Sequence, residues 1–280
     1  MIRKHSRLLS FLLVLSLVLS SFAFSATDTY AASFKRPKYI AHRGWSSKAP
    51  ENTLAAFTLA AKNSNFYGVE FDIWESDAEK DEPLLLVMHD ENIRRMCGVN
   101  KSIRDVTRKD LDNYTIVSGK NAGKYPGQKI PTADEALSTI WEYSNGAVPV
   151  IELKHRLSAK GLGHLFDLIG DHNVVIISFS YSAVRDAVKM ARSRGISNNV
   201  QTMYLKSKLS SKKYKKMALK LKNAGITAIS LRYTAVSRKT VKTFHKRGVK
   251  VCTWTLPNKK TARKYARMRV DYITANGAIY

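Results

Sequence analysis

The chain has 280 residues, of which 44% are hydrophobic and 25% charged. These values exclude a disordered, collagen-like or disulfide-scaffold protein and fit one large or two small folded domains. Lys and Arg number 47 against 22 Asp and Glu, a formal net charge of +25, and with only Cys97 and Cys252 present there is no cysteine-based zinc spacing.

At the N-terminus, Arg3, Lys4 and Arg7 precede an apolar run from Leu8 to Phe24, and small residues follow with usable cleavage points after Ser25, Ala26 or Ala31. A basic start, an apolar stretch and small residues predict a secretory signal over residues 1–31. Ser16, Ser20 and Ser21 dilute the run, which favours cleavage over a retained membrane anchor. No Cys lies near the cut for lipid attachment, and no later run is long and apolar enough to span a membrane. Residues 32–280 are therefore expected to form a single secreted domain, possessing no inferred stable protein partner.

Strand-like runs then follow at Tyr39–His42, Val69–Trp74, Leu84–His89, Val148–Lys154, Val174–Phe179, Val200–Leu205, Ala228–Leu231, Val249–Leu256 and Tyr272–Ala275. Helical patterns fall between most of them, at Thr53–Lys62, Ala133–Tyr143, Leu162–Ile169, Ser182–Arg194, Ser210–Asn223, Ser237–Lys246 and Lys259–Arg267. Repeated βα units over this length predict an α/β fold, most simply a (β/α)₈ TIM barrel, with a doubly wound open sheet as the alternative. Nine runs compete for eight staves, and the roughly ten residues between Trp74 and Leu84 are too few for a helical crossover. Residues 92–128 show no periodicity and are expected to form a long insertion after the third strand, near the active face.

Buried parallel strands should read as continuous apolar runs, and several here are interrupted by one kind of chemistry. His42 and Arg43 end the first run, and His89 and Asp90 end the third. Glu70 and Asp72 lie two apart, as do Glu152 and Lys154, so each pair points to one face of its strand. A lone strand-end His or a Glu–Lys pair is ordinarily structural. Two carboxylates on one strand face repel unless a cation sits between them. Three carboxylates at one barrel mouth suit a single hard divalent cation, Ca²⁺ or Mg²⁺, better than zinc.

The positive charge is uneven. Residues 32–186 hold 20 basic and 20 acidic residues, whereas residues 187–270 hold 24 basic residues and no acid. In Ser210–Asn223, Tyr214, Met217, Ala218 and Leu221 share one face while Lys212, Lys213, Lys215, Lys216, Lys220 and Lys222 surround it. With no helix-turn-helix, zinc-finger or aromatic RNA-binding pattern, no nucleic acid is expected, and an anionic cell wall or lipid surface is the expected partner.

The string His42-Arg43-Gly44, Pro50-Glu51-Asn52-Thr53, Glu70-Phe71-Asp72, His89-Asp90, Glu152-Leu153-Lys154 and the late Trp254-Thr255 resembles the glycerophosphodiester phosphodiesterases over about residues 38–280. The resemblance implies a (β/α)₈ barrel and a metal-dependent hydrolase cleaving glycerophosphodiesters to glycerol 3-phosphate and an alcohol. It implies that Glu70, Asp72 and Glu152 hold the divalent cation, that His42 and His89 are the acid–base pair, and that Arg43 and Lys154 contact phosphate. His42 is expected as base and His89 as acid, with Trp254 an apolar wall for the glycerol or alcohol group. Two segments depart from the family pattern, Glu75–Pro83 and Thr274-Ala275-Asn276-Gly277, and both bear on the fit of the substrate. The alternative from another class is a noncatalytic or weakly catalytic wall- or lipid-binding protein on the same barrel. A third reading, cleavage of intact lipids, would need an exposed apolar rim that the sequence does not identify.

Overall fold

The computed structural model describes residues 36–79 and 82–278; the signal expected over residues 1–31 lies outside them. Short β-branched and aliphatic runs form strands β1 (Lys38–Ala41), β2 (Phe66–Glu75), β3 (Leu85–Val87), β4 (Val148–Leu153), β5 (Val174–Ser178), β6 (Val200–Lys206), β7 (Ala228–Arg232), β8 (Lys250–Leu256) and β9 (Tyr272–Ala275). Eight of them pair in parallel, and β1 bonds to both β2 and β9. The sheet is therefore closed, which sets the open doubly wound alternative aside.

The surplus run is β3. It pairs antiparallel with β2, Ile73 opposite Val87 and Glu75 opposite Leu85, so it is a hairpin arm rather than a stave. A hairpin needs only a short connection, which accounts for the missing crossover helix. The insertion follows β3 and folds over a small core of its own, with Leu84, Leu86, Met88, Ile93, Met96 and Ile103 among its buried residues.

Helices α1 (Leu54–Ala61), α2 (Arg94–Cys97), α3 (Ala133–Tyr143), α4 (Ala159–Ile169), α5 (Tyr181–Ser193), α6 (Tyr214–Ala224), α7 (Arg238–His245) and α8 (Lys259–Ala266) complete the chain; all but α2, which lies in the insertion, connect successive staves. Six of these starts, all but those of α2 and α6, are fixed by side chains that accept from otherwise unpaired first-turn N–H groups: Thr53, Thr132, Ser158, Ser180, Ser237 and Asn258. Helix α4 begins earlier than its apolar pattern suggests, because Glu75 on β2 accepts from Ser158 N–H at 2.6 Å and from its hydroxyl. Among the described residues no helix is long and apolar enough to cross a membrane.

Alternation along the staves separates two cores. Outward residues such as Phe71, Ile151, Ile176 and Leu153 pack under the helices, while Ile40, Val150, Val175, Met203, Ala228, Cys252 and Tyr272 fill the barrel. The turn after β1 needs Gly44. Its φ is +74°, and an added Cβ would lie 2.7 Å from the backbone and Cβ of Ala56, while its N–H donates to Glu70 O at 2.9 Å.

Gly44→Ala is expected to lower stability by about 1–2 kcal/mol for the left-handed backbone alone, with the clash against α1 added. Urea unfolding checks this; unchanged stability would contradict the tight packing of this turn.

Candidate active site

Strand β2 carries Glu70 and Asp72 into the mouth of the barrel, and β4 carries Glu152 directly opposite Asp72. One oxygen of each carboxylate lies within 4.8 Å of those of the other two. Glu70 and Asp72 are 1% exposed and Glu152 9%, so little water is available to screen them. Glu70 Oε1 is buried with no hydrogen-bond partner. A buried, unsatisfied carboxylate oxygen facing two further carboxylates is the donor set that a hard divalent cation takes.

Cations on the protein compensate part of this charge. Lys154 Nζ lies 3.2 Å from Asp72 Oδ1 and 3.0 Å from Glu152 Oε1. Arg43 Nε lies 3.6 Å from Asp72, and the Arg43 backbone N–H donates to Glu70 Oε2 at 2.6 Å. That last bond requires the left-handed backbone of Arg43, φ 56°. Burial opposes ionisation of Asp72, but Lys154, Arg43 and His89 outweigh it and hold the carboxyl below its usual range. Burial, then the Asp72 and Glu152 charges, pushes Glu70 well above its ordinary value. Burial and Asp72 likewise raise Glu152 to about 7, against Lys154. The three acids thus share fewer than three negative charges at neutral pH.

Two histidines line the same mouth. His42 Nδ1 lies 2.7 Å from Asn276 Oδ1 at the end of β9. With the amide oxygen as acceptor, Nδ1 carries the proton and Nε2 keeps a free lone pair. Burial, reinforced by Arg43, lowers His42 to about 4, so it is neutral at pH 7. His89 Nδ1 lies 2.6 Å from Asp90 Oδ1. Burial lowers His89 too, but Asp72 and the Asp90 hydrogen bond oppose it. Of the two rings, the one bonded to a carboxylate holds a proton better than the one bonded to a neutral amide.

These groups and Trp254 line one cavity of about 180 Å³. All eight predicted residues (His42, Arg43, Glu70, Asp72, His89, Glu152, Lys154 and Trp254) converge here, Asp72 beneath the lining at the centre of the carboxylate group. The charged half comes from β1, β2 and β4 with the His89 loop. The opposite half is apolar, from Ile177, Phe179, Met203, Leu205 and Trp254. Phe179 is 47% exposed and stands edge-on to Trp254, with ring centroids 5.5 Å apart.

Four supporting residues were given no role from the sequence. Asn52, 1% exposed with φ 56°, donates to Asp72 Oδ2 at 2.8 Å. Glu51 accepts from Arg43 at 2.8 Å and from Arg95 at 2.6 Å, and Arg95 reaches on to Asp90. The Pro50-Glu51-Asn52-Thr53 string held the signal for two of them. Asn276 and Arg95 carried none, because each acts across a non-local contact. The segment Thr274–Gly277 leaves β9 paired on both sides and supplies the His42 partner.

Comparison with known proteins agrees with this geometry. The family model for the glycerophosphoryl diester phosphodiesterase family matches residues 42–277. A glycerophosphodiester phosphodiesterase of Caldanaerobacter subterraneus subsp. tengcongensis is 30% identical over 249 residues, covering 84% of this chain and 91% of its own. A phosphodiesterase of Oleispira antarctica, solved in complex with the product sn-glycerol-3-phosphate, superposes with a TM-score of 0.71 at 23% identity, over 86% of this chain and 93% of its own. A glycerophosphodiester phosphodiesterase from Thermotoga maritima gives a TM-score of 0.65 at 22% identity, over 87% and 96%. At those identities the two structures speak for the fold.

Because Glu70 and Glu152 are raised, divalent cation binding near pH 7 should release protons, and affinity should weaken as pH falls below about 7. Calorimetry of Mg²⁺ or Ca²⁺ binding in buffers of different ionisation enthalpy checks this. A heat independent of buffer would contradict it. Glu70→Gln, which removes one charge, should lower affinity at least about tenfold, in the range of losses seen when metal-site partners change.

Proposed function

The chain belongs to the glycerophosphoryl diester phosphodiesterase family, and from that premise we propose how its site performs the reaction. The activity is that of a phosphodiesterase on glycerophosphodiesters. The proposed products are glycerol 3-phosphate and an alcohol; the sn-glycerol-3-phosphate held by the Oleispira relative supports this.

The observation that carries the mechanism is the meeting of two histidines, each anchored through Nδ1, with three buried carboxylates at one mouth. A phosphodiester anion resists attack until its charge is offset, a hydroxyl is deprotonated and the leaving oxygen is protonated. Arg43 offers a guanidinium and Lys154 an ammonium to the phosphoryl oxygens. Lys154 uses two donors on Asp72 and Glu152 and keeps a third. His42 Nε2, neutral at pH 7, accepts a proton from the water whose oxygen bonds to phosphorus. His89, held by Asp90, donates to the departing alcohol oxygen as the P–O bond breaks. Asn276 and Asp90 fix the two ring orientations. The apolar half of the cavity receives the alcohol, with Trp254 and Phe179 as its walls.

Glu70, Asp72 and Glu152 would hold one divalent cation, Ca²⁺ or Mg²⁺; when bound, it supplies positive charge at the phosphoryl oxygen and acidifies a hydroxyl. Basic residues, an apolar run and small residues at the N-terminus support a secreted enzyme. A noncatalytic barrel is not favoured, because the chain keeps the full acid–base and carboxylate set.

Chelation should abolish turnover of glycerophosphocholine, and added Ca²⁺ or Mg²⁺ should restore it; full activity in metal-free protein would contradict the proposal. His42→Ala and His89→Ala should each lower kcat by roughly 10²–10⁴-fold with the fold retained by circular dichroism. Wild-type kcat in either folded variant would make that histidine structural.

A further inference from the structure

The acid-free stretch 187–270 is not scattered around the barrel. It spans the end of α5, then β6, α6, β7, α7, β8 and α8, which are consecutive neighbours in the closed sheet. Helix α6 packs on α7 through Tyr214 and Phe244, whose ring centroids lie 6.1 Å apart. The buried residues of the three helices are Tyr214, Ala218 and Leu221; Thr240, Val241 and Phe244; Ala262 and Tyr265. The basic residues are thereby turned outward, and all except Lys206 and Arg247 are exposed. Among the described residues, the ion pair made from this stretch by Lys or Arg is Arg194 with Asp167. The first half of the barrel, with equal numbers of acids and bases, instead forms pairs such as Lys101–Asp110, Arg104–Asp77 and Arg156–Asp186.

The face runs up to the mouth. Strands β6, β7 and β8 run parallel to β4 around the sheet, so their C-terminal ends open at the end that holds the site. Lys206 and Arg232 close β6 and β7, Lys208, Lys212 and Lys213 lie between β6 and α6, and Arg238 opens α7. The same staves supply Met203, Leu205 and Trp254 to the apolar half of the cavity. The charge therefore borders the side where the alcohol portion of a substrate would leave the site.

A small diester presents one negative charge to such a face. Helix α6, with 11 residues, is already roughly 16 Å long, far more than one phosphate can contact. Solubility alone is served by mixed charges, whereas a one-signed field attracts an extended partner of the opposite sign. On α6–α8 the large apolar side chain left exposed is Leu219, too little to insert into a bilayer.

We propose that the β6–β8 side of the barrel is a track for a linear polyanion of repeating phosphodiesters, which is bound along the basic helices while one of its diester bonds occupies the site. The proposal rests on the phosphodiesterase reading and names the substrate class of that site.

The test uses poly(glycerol phosphate) as polymer and glycerophosphocholine as the small diester, with two readouts, retention on immobilised polymer and steady-state turnover. The variant K208Q/K212Q/K213Q/R238Q changes no residue of the site. If about four contacts are made, polymer affinity should fall roughly 50-fold between 50 and 200 mM salt, at about 0.7 log unit per contact per tenfold salt. The fourfold variant should lose most of that salt dependence and raise KM for polymer at least tenfold at 50 mM salt. Its kcat and KM for glycerophosphocholine should stay within about twofold. Salt-independent retention, or equal retention of the variant, would overturn the track. So would binding of wild-type protein to phosphatidylglycerol vesicles without binding to polymer. Turnover of glycerophosphocholine without polymer binding refutes the track alone. Polymer binding without turnover of either substrate supports the track and refutes the phosphodiesterase reading.

Discussion

Three carboxylates in one buried mouth are the constraint around which the rest of this barrel is arranged. Glu70, Asp72 and Glu152 are held together by backbone geometry: two sit on the same face of β2, and register sets the third opposite Asp72 on β4. The staves cannot relax to separate them without breaking the closed sheet. Burial makes each charge costly and mutual repulsion adds to the cost. The protein answers with protonation, raising Glu70 and Glu152, and with the fixed cations Lys154 and Arg43. A divalent ion would complete the same compensation.

Much of the surrounding structure serves that arrangement. The turn after β1 places Arg43 in a left-handed conformation, which turns its N–H onto Glu70 and requires Gly44 to pass close to α1. Asn52 holds Asp72 from the other side. Glu51 ties Arg43 to Arg95, and Arg95 ties Asp90 beneath His89. A continuous run of hydrogen-bonded charges thus connects the carboxylate cluster to one histidine, while Asn276 secures the other. Hydrogen-bonded ionic networks of this kind resist piecemeal removal, because each lost partner strands another buried group.

The barrel and its site were largely legible in the sequence because their cause is local. Polar residues two apart within apolar strands declare a face, and serine, threonine or asparagine ahead of an apolar stripe declares a helix start. Glu70, Asp72, Glu152 and Lys154 were placed by that alternation, His42, Arg43 and His89 by their positions at strand ends, and Trp254 by the family resemblance alone. The antiparallel direction of β3 was not legible, since no local pattern records which way a partner strand runs; only the short Trp74–Leu84 spacing hinted at it. The early start of α4 escaped because Glu75, which accepts from its cap Ser158, lies 83 residues away. Asn276 escaped in the same way, reaching His42 across 234 residues.

Charge divides the molecule into two halves. Negative groups are gathered and compensated inside the mouth on the β1, β2 and β4 side, while positive groups remain uncompensated outside on the β6–β8 side. The inner half depends on the carboxylates acting as one cation site. The most direct measurement is crystallography of protein soaked in Mn²⁺, a hard divalent stand-in with strong anomalous scattering. The account predicts one anomalous peak within coordination distance of Glu70, Asp72 and Glu152, absent in Glu70→Gln soaked at the same concentration. A mouth without a peak, its carboxylates still paired with Lys154 and Arg43, would contradict it.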